Sequence, residues 1–466
     1  MQVAENDVIE NITYDDLYLG RSANLVRTLS LADIQAFAAV SGDVNPAHVD
    51  AEYAAQTLFH GVIAHGMWGG ALISTLLGTE FPGPGTIYVE QSLRFLLPVR
   101  IGDTLTVMAT VVARDDKKKR VTLDCQVSKQ DGALALSGTA IVIAPTVKVR
   151  RARMTLPTLQ VFDADAKLQA LLAPARAYPP IRCAIVHPCD AISLRAAVAA
   201  QEQGLIIPVL VGPQAKIQAQ AQLAEVDIRG IELVAVAHSH AACEYAVNLA
   251  AQGQVQALML GSVNPQELLH AVLACPALQT KRRLSHVLRF DLAGYEKPFL
   301  LTDAGINVTP TLLEKADIVQ NAIVLAQALG VIQPLVALLA AQDTINVKLP
   351  STIDAAALCK MAERGQITGG VLDGPIGFDR AIASMPQSSW PSAVAGNADI
   401  VLVPDLEAGN LLAKQLQTMA GALYSGIVMG ARVPIALIGT NAGLNAHLAS
   451  LAMAQRLSHF YANTSI

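Results

Sequence analysis

Apolar and polar positions organise the first third of the chain into four runs, at residues 86–95, 104–114, 119–129 and 132–143. Each is β-branched or alternating, and each is bounded by turn residues. They predict a run of antiparallel strands. Upstream, Ser30–Ala38 combines a helix-start serine, an acidic first turn and helical apolar spacing. From about Gly61 to Leu77 the chain is apolar or small on nearly every helical face, through Ala64, Gly66, Gly69, Gly70, Ala71, Leu72 and Ile73. A helix that is apolar all round is buried. One buried helix wrapped by antiparallel strands is a hotdog arrangement, an α+β domain placed at residues 1–148.

The pattern breaks at Val147–Leu159, where Lys148, Arg150, Arg151, Arg153 and Pro157 cluster. Residues 149–164 read as a basic linker leading into a helix near Asp163–Leu172. From about Ile181, short apolar runs (183–186, 206–211, 256–260, 299–302, 400–403, 433–438) alternate with Ala-rich helical stretches such as 191–203, 214–223, 266–273, 313–330 and 409–423. This alternation predicts a mostly parallel sheet covered by helices on both faces. Residues 165–466 are long for one such layer, so two α/β lobes with a cleft between them are expected.

Composition supports packed cores. Of 466 residues, 52% are hydrophobic, 15% charged and only 4% aromatic, so Ala, Val, Leu and Ile must fill the interiors. A net charge of −5 argues against nucleic acid as a partner, and the short run Lys117–Arg120 reads as a solvated hairpin turn. The six cysteines are scattered without a CxxC, which suits a reducing compartment. With no signal peptide and no uninterrupted apolar run of membrane length, a soluble cytoplasmic protein is expected.

Candidate chemistry centres on Ser41–His48, which places Asp43, Asn45 and His48 within eight residues. Asn45-Pro46 disfavours regular helix, so Asp43 and His48 are expected on a short, stiffened loop. A second block, Phe59–Gly70, follows. Hydrating the double bond of an α,β-unsaturated thioester needs a base to activate water, an acid to supply a proton, and a donor for charge on the thioester oxygen. Asp43 and His48 can share the proton work. The backbone N–H of Gly66, at a helix start and with no side chain in the way, can supply the donor. Alone, an Asp-x4-His pair is more often a loop cap and a structural histidine, and the glycines can serve close packing. The two blocks together favour the site. His60 and His65, five apart with no third ligand nearby in sequence, make a poor metal pair.

Phe37–His48 together with Ile63–Met67 closely resembles the MaoC-like dehydratases, the (R)-specific enoyl-CoA hydratases, over roughly residues 15–145. Gln91–Phe95, Pro98-Val99 and Ile101–Asp103 share the resemblance. It implies that Asp43 and His48 are the catalytic pair, that Asn45 supports their loop, and that the Gly66 backbone lies at the oxyanion. His65 and Met67, on either side of Gly66, are expected at the substrate. The implied reaction is reversible syn hydration of a trans-2-enoyl-CoA to an (R)-3-hydroxyacyl-CoA. No metal or cofactor is expected, the coenzyme A thioester being the substrate.

From about residue 165 to the C-terminus the chain resembles the phosphate acetyl/butyryltransferases. The motifs are Ile185–Asp190, Ile206–Pro213, Arg282–Val287, Leu301–Asn307, Gly369–Pro375 and, most specifically, Ala398–Asn410. This implies two α/β/α lobes, dimerisation, acyl transfer between CoA and phosphate in the interlobe cleft, and hence homo-oligomers through both domains. The charged motif departs. Gly439 and Thr440 stand where the family has Ser and Arg, and Ala442 and Asn445 stand where it has acidic residues. Leu260–Gln266 replaces a stretch containing Lys, His and Asp. Losing the Arg is not conservative where a phosphate must be clamped. The reading favoured on these residues is a degenerate transferase kept for dimerisation or CoA binding. Transfer through other residues (Ser285, Asp303, Asp405) or to a different acceptor are the alternatives. For Asp405 and Glu407 the plain reading is helix capping, and for Cys189 a structural thiol.

Overall fold

The computed structural model describes residues 8–155, 162–383, 391–439 and 442–464. They fall into two compact units, Met1–Val161 and Phe162–Ile466.

Unit 1 contains β1 (Val8–Glu10), β2 (Ser22–Thr28), α1 (Leu31–Ser41), α2 (Pro46–Val49), α3 (Ala51–Gln56), α4 (Gly66–Thr75), β3 (Ile87–Phe95), β4 (Thr104–Asp115), β5 (Arg120–Lys129), β6 (Leu134–Ile143) and β7 (Arg150–Ala152). Five strands form an antiparallel sheet in the order β2-β4-β5-β6-β3. The alternation read from the sequence sets its inner face. Val107 pairs with Val127, Ala109 with Cys125 and Val111 with Leu123, and all six side chains are buried. Trp68, Leu72 and Ile73 of α4, with Leu76 and Leu77 just beyond it, pack into the same core.

Helix α4 differs from expectation in two ways. It begins at Gly66, because the left-handed φ of His60 (54°) and the φ of Gly61 (154°) hold the preceding residues in turns. It is also not buried all round, since Met67, Ala71 and Ser74 are exposed. The expected basic linker is likewise partly structured. Its residues Arg150–Ala152 form β7, paired with β1. Lys148 bonds Glu10 (2.9 Å) and Arg153 bonds Glu80 (2.8 Å).

Unit 2 contains one eleven-stranded sheet. In chain order its strands are β8 (Ile181–Val186), β9 (Ile206–Gly212), β10 (Glu232–Ala235), β11 (Ala257–Leu260), β12 (Ser285–Asp291), β13 (Phe299–Thr302), β14 (Leu335–Leu339), β15 (Val371–Ile376), β16 (Ile400–Leu402), β17 (Leu423–Met429) and β18 (Ile435–Ala436). The helices are α5 (Ala164–Arg176), α6 (Ala191–Glu202), α7 (Gln214–Leu223), α8 (Ser239–Ala251), α9 (Pro265–Leu273), α10 (Leu312–Ala328), α11 (Pro350–Glu363), α12 (Phe378–Ile382), α13 (Leu406–Thr418) and α14 (Leu444–Asn463). The spatial order is β10-β9-β8-β11-β18-β17-β12-β13-β16-β14-β15. The first five run parallel, as do the last four; β17 and β12 pair antiparallel between them, so the halves run in opposite senses. These are the two α/β lobes, sharing one continuous sheet. Among the described residues no helix is long and apolar enough to cross a membrane.

Candidate active site

The acid/base segment is built by helix ends. Helix α1 starts on a capping box between Ser30 and Asp33 and stops at Gly42, whose φ of 73° is a left-handed helix stop that glycine adopts without strain. Asp43 follows, its Oδ1 accepting the Asn45 N–H (3.2 Å). Asn45 then caps α2 through Oδ1 and the Ala47 N–H (3.1 Å), with Pro46 in the first helical position. Asn45 therefore supports the segment as expected. His48, however, sits on the single turn of α2 and not in a loop, because that cap and Pro46 start a new helix at once. Its Nδ1 lies 2.9 Å from the Ile63 carbonyl oxygen, so Nδ1–H donates there and Nε2 keeps its lone pair.

His65, 3% exposed, holds this segment from the other side. Its Nε2 lies 3.0 Å from the backbone oxygen of Asp43, and its ring packs on His48 (centroids 4.1 Å apart) and Phe37 (5.1 Å). The tertiary fold thus gives His65 the neighbours that its sequence context lacks. Side-chain ligand atoms of Asp43, His48 and His65 lie within 4.8 Å of one another, and His60 is not among them.

A cavity of about 310 Å3 opens beside this cluster. His48, His65 and Gly66 form its polar end, while Phe95, Val127 and Leu136 supply apolar wall. Gly66 is the first residue of α4, where a backbone N–H has no intrahelical acceptor. A Cβ there would lie 3.0 Å from Cε1 of Phe95, so any larger residue would have to displace that ring by a few tenths of an ångström. Met67 corrects the sequence reading. It is 56% exposed and outside the cavity lining, because the adjacent helical position faces away. Phe95, Val127 and Leu136 were not singled out as pocket residues, and only their strand alternation could have suggested it.

In unit 2 the residues expected at substrate are occupied by the fold. Ser285 is fully buried and its Oγ accepts from Asn321 Nδ2 (3.0 Å). Asp303 is 2% exposed, and its carboxylate accepts the backbone N–H groups of Gly305, Ile306 and Asn307 and the Asn307 side-chain amide. Asp405 caps α13 through the Ala408 N–H (2.8 Å). All three groups hydrogen-bond within the fold, as the capping reading of Asp405 expects. Cys189 is half-buried, 3.6 Å from His187 Nε2, and burial pushes its thiol pKa up. In the departed motif, Gly439 is exposed, Ala442 is buried and Asn445 reaches Asp165 at 3.5 Å; Thr440 lies outside the described residues. Lys281, Arg282 and Arg432 line a cavity of about 660 Å3. Arg282 opens the motif Arg282–Val287 read from the sequence and Lys281 precedes it, while Arg432 carries no local sequence signal.

Residues 240–454 match the family described as phosphate acetyl/butaryl transferase, and residues 20–132 match the MaoC like domain. The phosphate acetyltransferase of Rhizobium meliloti is 49% identical over 292 residues, covering 62% of this chain and 92% of that protein. The chain belongs to the phosphate acetyl/butyryltransferase family. It carries a MaoC-like hydratase domain ahead of its transferase domain. A branched-chain phosphotransacylase from Enterococcus faecalis is 28% identical with a TM-score of 0.53, covering 60% of this chain and 99% of that one. An R-hydratase from Pseudomonas aeruginosa is 42% identical over 33% of this chain and 99% of its own, with a TM-score of 0.32.

Proposed function

We propose that unit 1 hydrates trans-2-enoyl-CoA reversibly to (R)-3-hydroxyacyl-CoA. The observation that carries this is the grouping of the Asp43 carboxylate with His48, which together with the Gly66 helix start lines one end of an apolar cavity. The acyl chain enters between Phe95 and Leu136. Asp43 and His48 take a proton from the water whose oxygen adds to C3 and return one to C2 on the same face. Negative charge on the thioester oxygen falls to the Gly66 N–H and the positive end of α4. Replacing Asp43 by Asn, or His48 by Ala, lowers crotonyl-CoA hydration by roughly a hundred- to ten-thousandfold. Wild-type rates in both variants defeat the assignment.

For unit 2 the proposal is a transferase scaffold without its transfer chemistry. The described part of 438–445 supplies no cation, and Ser285, Asp303 and Asp405 are structural. Acyl transfer between CoA and phosphate is the second reading, favoured by the 49% identity and by the cations at Lys281, Arg282 and Arg432. Following CoA release from acetyl- or butyryl-CoA with phosphate separates the two, since sustained turnover selects the second.

A further inference from the structure

Away from both regions, unit 2 holds a pocket of about 280 Å3 among α5, β12, α10 and α14. Arg456 of α14 lines it. Burial presses the pKa of its guanidinium down, and its Nε is buried without a hydrogen-bond partner. The end of α10 lies beside it (a Cβ on Gly330 would be 3.5 Å from Arg456 Nη2) and contributes a favourable dipole but no hydrogen bond. Arg456 is half-buried, with Tyr178 as an electrostatic neighbour and no carboxylate; an arginine stays charged in a protein, and a charge partly withdrawn from water without an anionic partner is costly.

The other charges around the pocket are accounted for. Arg289 and Asp291 pair with each other, both almost fully buried. Asp399 pairs with Lys297 at 2.6 Å and accepts the Leu335 N–H. Lys167 bonds the Glu296 carbonyl oxygen at 3.1 Å, and its charge acts on the Asp291 carboxylate. Arg456 therefore remains the lining cation with no carboxylate partner among the described residues, in a wall that includes Leu171, Leu329 and Val331.

We propose that this pocket binds a small organic monocarboxylate, its carboxylate on the Arg456 guanidinium and its carbon chain against Leu171, Leu329 and Val331. The guanidinium fork matches both oxygens of a carboxylate. Phosphate fits less well, because the apolar wall would leave its remaining oxygens without donors. The volume falls just below the span of ligand pockets, about 300–1,000 Å3, which suits a ligand of a few heavy atoms and excludes a CoA thioester.

The test is calorimetric titration of the full chain with acetate, butyrate, hexanoate and 2-oxobutyrate, with inorganic phosphate as the comparison. At least one carboxylate binds saturably at millimolar concentration. Binding weakens about tenfold or more, about 1.4 kcal/mol, in Arg456→Gln. It weakens similarly in Ala170→Phe, which leaves Arg456 intact and places a ring at a lining position. It is unchanged in His48→Ala, which separates it from the cavity of unit 1. The proposal is overturned if no carboxylate binds, if both pocket variants bind like wild type, or if phosphate binds as tightly as the best carboxylate.

Discussion

The imidazoles of His48 and His65 act differently because one hydrogen bond fixes each ring. His48 donates from Nδ1 to Ile63, which under the proposed hydration leaves Nε2 for proton transfer. His65 donates from Nε2 to the Asp43 backbone and so holds the segment that carries Asp43. His65→Phe keeps the stacking on Phe37 and His48 but removes that donor. The expected result is a kcat lowered roughly tenfold with KM little changed, because only the placement of Asp43 is disturbed. Steady-state kinetics on crotonyl-CoA measure it, and a KM effect alone argues for substrate binding. In unit 2, burial holds the His286 imidazole well below its usual 6.5, against the smaller opposing pull of Asp303. The folded state keeps this ring neutral while the unfolded chain takes up a proton as pH falls past 6.5. Stability from this group is therefore full above that pH and declines below it. Urea midpoints for the unit 2 transition, taken from about pH 7.5 to about pH 5.5, should fall and should fall less steeply in His286→Gln. Equal slopes would reject this role.

Helix α4 does two jobs with one face. Gly66 lies against Phe95, and Gly69 lies against Leu136, where a Cβ would come within 3.3 Å of Cδ1. Gly66→Ala forces the Phe95 ring to shift, and that ring is a wall of the acyl cavity. The substitution should cost about 1–3 kcal/mol in unit 1 and lower hydration, and Phe95→Leu in the same chain should restore part of both. Thermal melts paired with crotonyl-CoA assays provide the readout; no effect of Gly66→Ala would mean that the ring yields freely. At α1 the capping box is exposed and separable from the site. Ser30→Ala should destabilise unit 1 by about 1 kcal/mol without changing KM.

Among the described residues, each apolar cluster draws on one unit only. One apolar cluster lies wholly in unit 1, and the large clusters of unit 2 draw only on residues after 162. Residues 1–161 and 162–466 are therefore expected to fold when made separately, and calorimetry of the full chain should show two transitions. A single transition, or an insoluble fragment on each side, would contradict this. Self-association is proposed at the free edge of β3, where Ile87, Val89 and Phe95 are exposed. A second copy pairing there would cover an edge that soluble proteins rarely leave bare. Val89→Lys should shift the mass measured by light scattering towards the monomer; an unchanged mass places any interface elsewhere.

Local pattern alone determined the alternating strands β3 to β6, the capped start of α1, and the α/β alternation of unit 2. The reason is that period and capping act over a few neighbouring residues. It also named Asp43, Asn45, His48 and Gly66. Other features depended on long-range packing. Strand β12 escaped notice because Ser285, His286, Arg289 and Asp291 look polar, yet all seven of its residues are buried, with Arg289 and Asp291 paired on one face. The fold made His65 a partner of Asp43, turned Met67 outward, and consumed Asp303 and Asp405 in loop and helix capping. Each of these outcomes is set by which groups the tertiary structure brings within hydrogen-bond range, which sequence spacing does not encode.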